Sequence, residues 1–323
     1  MYWPFLFSGA FFSSDASRGP GIVVKSLAKA GFMPTDLLSI AGYDPSGGAG
    51  VHLDIRVFEH LGFRGYGILT SVTAQNSAKV DRAFPLPARL VGQQYEALIC
   101  ETRFAGIKVG MAGSLENLAA VARILGRNPS IPRVVDPVFR SSSGTRLLEA
   151  GAIPRFLKLL KGNATLITPN LDEASALAGL PVRTVEGMKE AARMICEKIL
   201  SPCLVKGGHL EGGAVDVLYD GGFRVFRHAR IERSVHGSGC FLSAAILGHL
   251  AEGRGIEEAC RRGIALTALG IRKAVPAGKG RMAFSFPFKT ISPRRRTVSK
   301  IGPGGILTAS LKPGPVPRRR TSE

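Results

Sequence analysis

From residue 37 onward, short apolar runs alternate with longer runs in which apolar residues return every three or four positions. That alternation is the signature of strands interleaved with amphipathic helices. It predicts strands over residues 37–41, 66–72, 106–111, 133–138, 165–169 and 203–206. Helices are expected over 51–61, 87–102, 115–126 and 151–161, with two more between 171 and 200. Strand followed by helix, repeated, implies parallel pairing with helices on both faces of the sheet. After Gly208 the rhythm changes. Residues 215–219 and 223–230, separated by Asp220-Gly221-Gly222, read as a β-hairpin at a sheet edge. Helices over 239–252 and 256–275 close the pattern, which stops at Ser285.

Composition sharpens this picture at the ends. The chain has 323 residues, 45% of them hydrophobic, enough for one sizeable α/β domain, expected over 35–284. Residues 1–34 read as an extension, either non-native with Met33 as the true start or disordered. Residues 285–323, rich in Pro and Gly and carrying two Arg triplets, read as a basic disordered tail. The net charge of +19 points first to nucleic acid, yet the tail alone holds nine Lys or Arg against one acid. The body then suits small anionic ligands, which argues against a nucleic-acid partner. Five cysteines without a Cys-x-x-Cys pair fit a reducing cytoplasm, the expected location. Residues 1–12 are apolar, but no Lys or Arg precedes them as a signal peptide needs. No apolar run is long enough for a membrane span.

Candidate chemistry gathers just after the strands, where open α/β sheets bind ligands. Two glycine-rich turns each join an extended run to a helix: Gly42 to Gly50, and His236-Gly237-Ser238-Gly239-Cys240. Glycines let the backbone approach a ligand, and a helix start directs amide donors and positive dipole at an anion. Lys206 at a strand end is a charge that a phosphate would justify. Asp136 and Glu173, after neighbouring strands, suit Mg²⁺ shared with phosphates. Asn170 fits either the same cluster or the N-cap of the helix containing Glu173. Gln75 can both donate and accept hydrogen bonds, matching the ring nitrogen and amino group of an aminopyrimidine.

Taken together, Ala41-Gly42-x-Asp44-Pro45-Ser46-Gly47-Gly48-Ala49-Gly50, Thr73-Ala74-Gln75-Asn76, Thr168-Pro169-Asn170-x-x-Glu173-Ala174, Lys206-Gly207-Gly208-His209 and His236 to Cys240 resemble the hydroxymethylpyrimidine/phosphomethylpyrimidine kinases of thiamine biosynthesis, in the ribokinase-like superfamily. The resemblance spans about residues 37–280. It implies a three-layer α/β/α sandwich with a mostly parallel central sheet and a hairpin edge. It also implies transfer of the ATP γ-phosphate to a hydroxymethylpyrimidine and then to its monophosphate, with Mg²⁺, in a homodimer. The anion hole would lie at Gly237, Ser238 and Gly239, with Cys240 as proton acceptor, its thiol lowered by the helix start. Lys206, Asn170, Glu173 and Ser238 would hold ATP, and Asp136 with Glu173 the metal. Gly42, Asp54, Gln75, Met111 and Val138 would line the pyrimidine pocket, with His209 and His236 fixing loops. Two departures stand out. Val235 replaces a usual threonine, and Arg281 onward leaves the family pattern. Alternatives are a pyridoxal kinase of the same fold and a non-catalytic, ligand-sensing or nucleic-acid-associated regulator.

Overall fold

The computed structural model describes residues 35–286, apart from 77–78, 141–143, 146, 149–150, 209, 211–212 and 279–280. The N-terminal extension, most of the basic tail and His209 therefore lie outside the described residues. The centre of the fold is β1 (Asp36–Tyr43), buried along nearly its whole length. A near-continuous apolar run of this kind belongs to a strand covered on both faces. Around it lies a nine-stranded sheet of order β3-β2-β1-β4-β5-β6-β7-β8-β9. Strands β2 (Arg64–Gln75), β4 (Phe104–Val109), β5 (Arg133–Val135), β6 (Leu166–Ile167) and β7 (Cys203–Gly207) continue the parallel block. The expected hairpin, β8 (Ala214–Tyr219) and β9 (Phe223–His228), forms one antiparallel edge.

The opposite edge, β3 (Val80–Pro85), runs antiparallel to β2 and has no counterpart in the sequence reading. Its six residues are exposed or half-exposed. An edge strand so little buried carries no apolar alternation, and its extended form is set by pairing with β2.

Helices α1 (Gly50–His60), α7 (Ser238–Ala251) and α8 (Ile256–Arg272) cover one face of the sheet. The other face carries α2 (Ala88–Ile99), α3 (Leu115–Gly126), α4 (Ile153–Leu160), α5 (Leu171–Ala178) and α6 (Val185–Ile199). The result is the expected three-layer sandwich. Helix α7 is buried without interruption from Phe241 to Leu250, wedged between the sheet, α1 and α8. A helix apolar all round belongs in such a place.

Two corrections concern the C-terminal end. The last helix stops at Arg272 rather than residue 275, because Pro276 cannot continue it. Instead β10 (Val275–Ala277) turns back into β11 (Arg281–Ala283) as a small antiparallel sheet. Packing then passes the boundary at residue 284. Phe284 is buried and stacks on Phe241 at 4.3 Å between ring centroids. Phe286 follows at 6.0 Å from Phe241, with the Arg56 guanidinium 4.6 Å from its ring centroid. Two aromatics docking on a helix have no periodicity to announce them.

Because β2 and β4 flank β1 on opposite sides, the chain reverses direction of travel across the sheet there. A crevice opens at such a switch point, beyond the strands' carboxyl ends.

Candidate active site

Two glycine-rich loops meet at this crevice. In the loop after β1, Asp44 accepts from the Ser46 amide at 2.8 Å and its hydroxyl at 2.7 Å, forming a tight turn. The loop before α7 ends at Gly237, whose φ of +79° lies in the left-handed region. A Cβ there would stand 2.0 Å from the Gly48 carbonyl oxygen, so the two loops interlock through bare backbone. Gly237 supplies no side-chain cap to α7, and this helix start lies over the ends of the central strands. The loop is held from behind by β11, through His236 N to Met282 O at 3.1 Å and Met282 N to Ser234 O at 3.2 Å.

Beneath α7 sits a cluster of charged side chains. Lys206, at the end of β7, donates from Nζ to Asp136 Oδ1 at 2.6 Å. Thr168 adds a hydroxyl to the same oxygen at 3.2 Å, and Ser243 reaches Oδ2 at 3.5 Å. The space a Gly239 Cβ would occupy is 3.2 Å from Lys206 Nζ and 3.7 Å from Asp136 Oδ2. The first turn of α7 thus lies directly against the lysine and carboxylate. Burial works against the Lys206 charge, but the Asp136 and Glu173 carboxylates outweigh it and hold the amine above its ordinary value.

Glu173 and Asn170 form a reciprocal capping box at the start of α5. Asn170 Oδ1 accepts from Glu173 N at 2.9 Å, and Glu173 Oε2 accepts from Asn170 N at 2.8 Å. Of the two roles the sequence allowed Asn170, the N-cap is the one seen. Burial pushes the Glu173 carboxyl up to about 7, against the pull of Lys206 and with Asp136 adding to the rise. A carboxyl raised this way, beside a second carboxylate, is short of positive charge. Two carboxylates with phosphates and water completing the shell fit a hard cation such as Mg²⁺. Among the described residues no group of three or more His, Cys, Asp and Glu could hold a metal without such help.

Two expectations need correction. The Cys240 thiol is not lowered by the helix start. Burial pushes it up to about 11, and the Asp54 and Asp136 carboxylates oppose the Lys108 ammonium that would draw it down. Asp54 does not open onto the pocket. Its carboxylate is wholly buried, bonded to Lys108 Nζ at 2.9 and 2.8 Å and to Ser39 Oγ at 2.6 Å. Lys108 is itself fully buried beneath Gly110, and the Asp54 carboxylate offsets its burial enough to keep the amine above its usual value. Sequence reasoning passed over Lys108, although a lysine inside the run Gly106 to Met111 poses the same question of a buried charge that singled out Lys206.

Of the remaining expected pocket residues, Gly42 and Met111 meet, whereas Val138 and Gln75 contact other parts of the crevice. A Cβ at Gly42 would meet Met111 Sδ at 3.0 Å, so the glycine lets the thioether close over β1. Val138 lines a small apolar cavity with Gly110 and Phe139. Gln75, at the end of β2, reaches His236, which also bonds Asp44. His236 therefore ties loops together, as its place in the sequence suggested.

The order of these segments matches a known pattern along almost the whole body. The model of the family described as phosphomethylpyrimidine kinase matches residues 44–285. The chain belongs to the phosphomethylpyrimidine kinase family. The match runs through β11, so the departure expected from Arg281 is smaller than the sequence reading held. Among its relatives, the hydroxymethylpyrimidine/phosphomethylpyrimidine kinase of Aquifex aeolicus is 36% identical over 250 residues, covering 75% of this chain and 96% of that one. In structure this family member resembles the phosphomethylpyrimidine kinase of Clostridium difficile, with a TM-score of 0.64 at 34% identity over 74% of this chain and 98% of that one. It also resembles the pyridoxal kinase of Staphylococcus aureus in complexes with pyridoxal, with ADP and with AMP-PCP. Against the pyridoxal complex the TM-score is 0.71 at 30% identity, covering 79% of this chain and 94% of that one.

Proposed function

We propose that residues 35–286 form a kinase that transfers the γ-phosphoryl group of ATP to the hydroxymethyl group of 4-amino-5-hydroxymethyl-2-methylpyrimidine, and then a second one to the resulting monophosphate. The observation that carries this reading is the first turn of α7 set against the Lys206–Asp136 pair. Phosphoryl transfer asks mostly for positioning and for charge placed where the transferring group will be. The α7 amides and the Lys206 ammonium supply that charge in a site largely closed to water. Asp136 fixes where Lys206 points, and Gly239 keeps the approach clear. Asp136 and Glu173 would hold Mg²⁺, which would supply further positive charge to the phosphates. Cys240 accepts the hydroxyl proton as the bond to phosphorus forms. It does so as the thiolate: with the thiol pushed up to about 11, Cys240 first gives up its own proton, and the strongly basic thiolate then takes the proton released by the hydroxyl.

A coupled ATP-consumption assay on the full chain tests the reading, with the hydroxymethylpyrimidine, its monophosphate and pyridoxal as separate acceptors. Turnover is expected with both pyrimidines and weaker with pyridoxal. Turnover with pyridoxal alone would replace the pyrimidine assignment by the vitamin kinase of the same fold. Absence of turnover with every acceptor would overturn the catalytic reading.

A further inference from the structure

One side-chain chain at the pocket rim has no part in the chemistry above. His236 Nε2 lies 3.0 Å from Asp44 Oδ2 and 3.4 Å from the Gln75 amide nitrogen. Asp44 is buried, and Oδ1 already takes two bonds from Ser46. Burial disfavours its charge, but the bonds from His236 and Ser46 outweigh that and keep its carboxyl below the ordinary value. An ionised carboxylate only accepts, so the proton between the two groups belongs to His236 Nε2. That nitrogen then cannot also accept from the Gln75 NH₂. Two N–H groups would face each other, whereas a half-turn of the amide exchanges two atoms of nearly equal size and lets its oxygen share, as the longer arm of a three-centre bond, the proton that Nε2 gives to Asp44. The ring packs on one side against the bare backbone of Gly48, where even a Cβ would lie 2.5 Å from His236 Cδ2.

We propose that Asp44, acting through His236, fixes the orientation of the Gln75 amide so that its NH₂ faces the substrate, selecting a ring whose facing atom is a hydrogen-bond acceptor. The proposal rests on the pyrimidine-kinase reading. It makes Asp44 and His236 positioning residues for specificity. An unprotonated ring nitrogen satisfies the NH₂, and a ring N–H in the same place does not. Sites built around one hydrogen-bond polarity reject the opposite one strongly, since a buried donor is left unpaired.

The test compares the 4-aminopyrimidine substrate with its 4-oxo analogue, which carries a ring N–H where the substrate has a bare nitrogen. Asp44→Asn removes the obligate acceptor and offers His236 Nε2 an NH₂, freeing both the imidazole and Gln75 to reverse. The kcat/KM ratio of amino to oxo substrate is expected to fall at least about tenfold in Asp44→Asn. The change should come mainly through KM, while Gln75→Ala lowers preference without reversing it. If Asp44→Asn slows both substrates by the same factor, Asp44 is structural only and the proposal fails while the kinase reading stands. If the wild-type chain phosphorylates neither pyrimidine, that reading fails and takes the proposal with it. Should Asp44→Asn not fold, ¹⁵N NMR of the wild-type full chain decides: a protonated His236 Nε2 is expected, and a bare Nε2 overturns the proposal.

Discussion

The buried Lys108–Asp54 pair allows the sharpest test of how this core is held. Both side chains are fully buried, and Asp54 takes two bonds from Lys108 and one from Ser39. Lys108→Met keeps the volume and removes the charge, leaving a buried carboxylate with one hydroxyl for company. Breaking a buried pair from one side costs about 3–5 kcal/mol, a large share of the ~5–15 kcal/mol that stabilises a domain. At a urea slope of ~3 kcal/mol/M the unfolding midpoint should drop by about 1–1.7 M. Replacing the whole group, as Ser39→Ala/Asp54→Leu/Lys108→Met, should recover most of that loss, because apolar packing commonly equals a buried pair. The deficit of the single variant should also depend on pH. Burial already pushes the Asp54 carboxyl above its ordinary 3.8, and losing Lys108 pushes it further. A carboxyl raised on folding costs nothing below 3.8 and progressively more as pH climbs through its folded value. The deficit should therefore be smaller at pH 5 than at pH 8. Urea titrations at both values check this. A loss under ~1 kcal/mol, or a triple variant no more stable than the single one, would refute charge compensation as the reason for the pair.

Other substitutions probe the catalytic face. Gly237→Ala must place a Cβ at a φ of +79° and 2.0 Å from the Gly48 oxygen, so it should lose at least ~1–2 kcal/mol in thermal unfolding and most of its turnover. Cys240→Ala should lower kcat by about 10²–10⁴ with little change in the ATP KM. With the thiol pushed up to about 11, wild-type turnover should rise from pH 7 to 9, by at most about tenfold per unit, and the variant should lose that rise. A pH-independent wild-type rate would remove Cys240 as proton acceptor. Lys206→Ala should cost about 10² in kcat, and steady-state kinetics with unchanged kcat would mean that the amine does not meet the transferring group. Phe284→Ala opens a cavity against Phe241 and should cost about 3–5 kcal/mol, read by thermal melts.

Much of this molecule was legible because its central strands and helices are strongly patterned. The runs that became β1, β4 and β5 are buried on both faces, so apolar residues alone marked them. Lys206 and Asp136 stand out in the sequence because charged side chains at the ends of apolar strands are unusual and countable, and the fold pairs them. The misses share a cause: they are decided by a distant partner. β3 is extended because β2 lies beside it, β11 because β10 does, and neither carries its own signal. The Cys240 thiol illustrates the same limit. Its place at a helix start argued for a lowered proton affinity, but burial and two carboxylates from other segments reversed the sign. Asp54, on α1, is expected in the pocket from its motif alone, and only the fold reveals that Lys108, on β4, takes up its carboxylate.

The two hydrogen bonds between Met282 and the loop preceding α7, one donated each way, give the molecule a temporal order. The sheet, the crevice and even the Lys206–Asp136 pair are complete well before Met282 in the chain, yet the loop that shapes the phosphate end, tied in front to the first glycine-rich loop, takes its backing from β11. During synthesis, where folding proceeds from the N-terminal side, competence must therefore arrive last, after the C-terminal strand has emerged. A nascent or truncated chain lacking β11 would hold its sheet with the phosphate loop unbacked, and ATP consumption becomes a readout of whether translation reached the end of the fold.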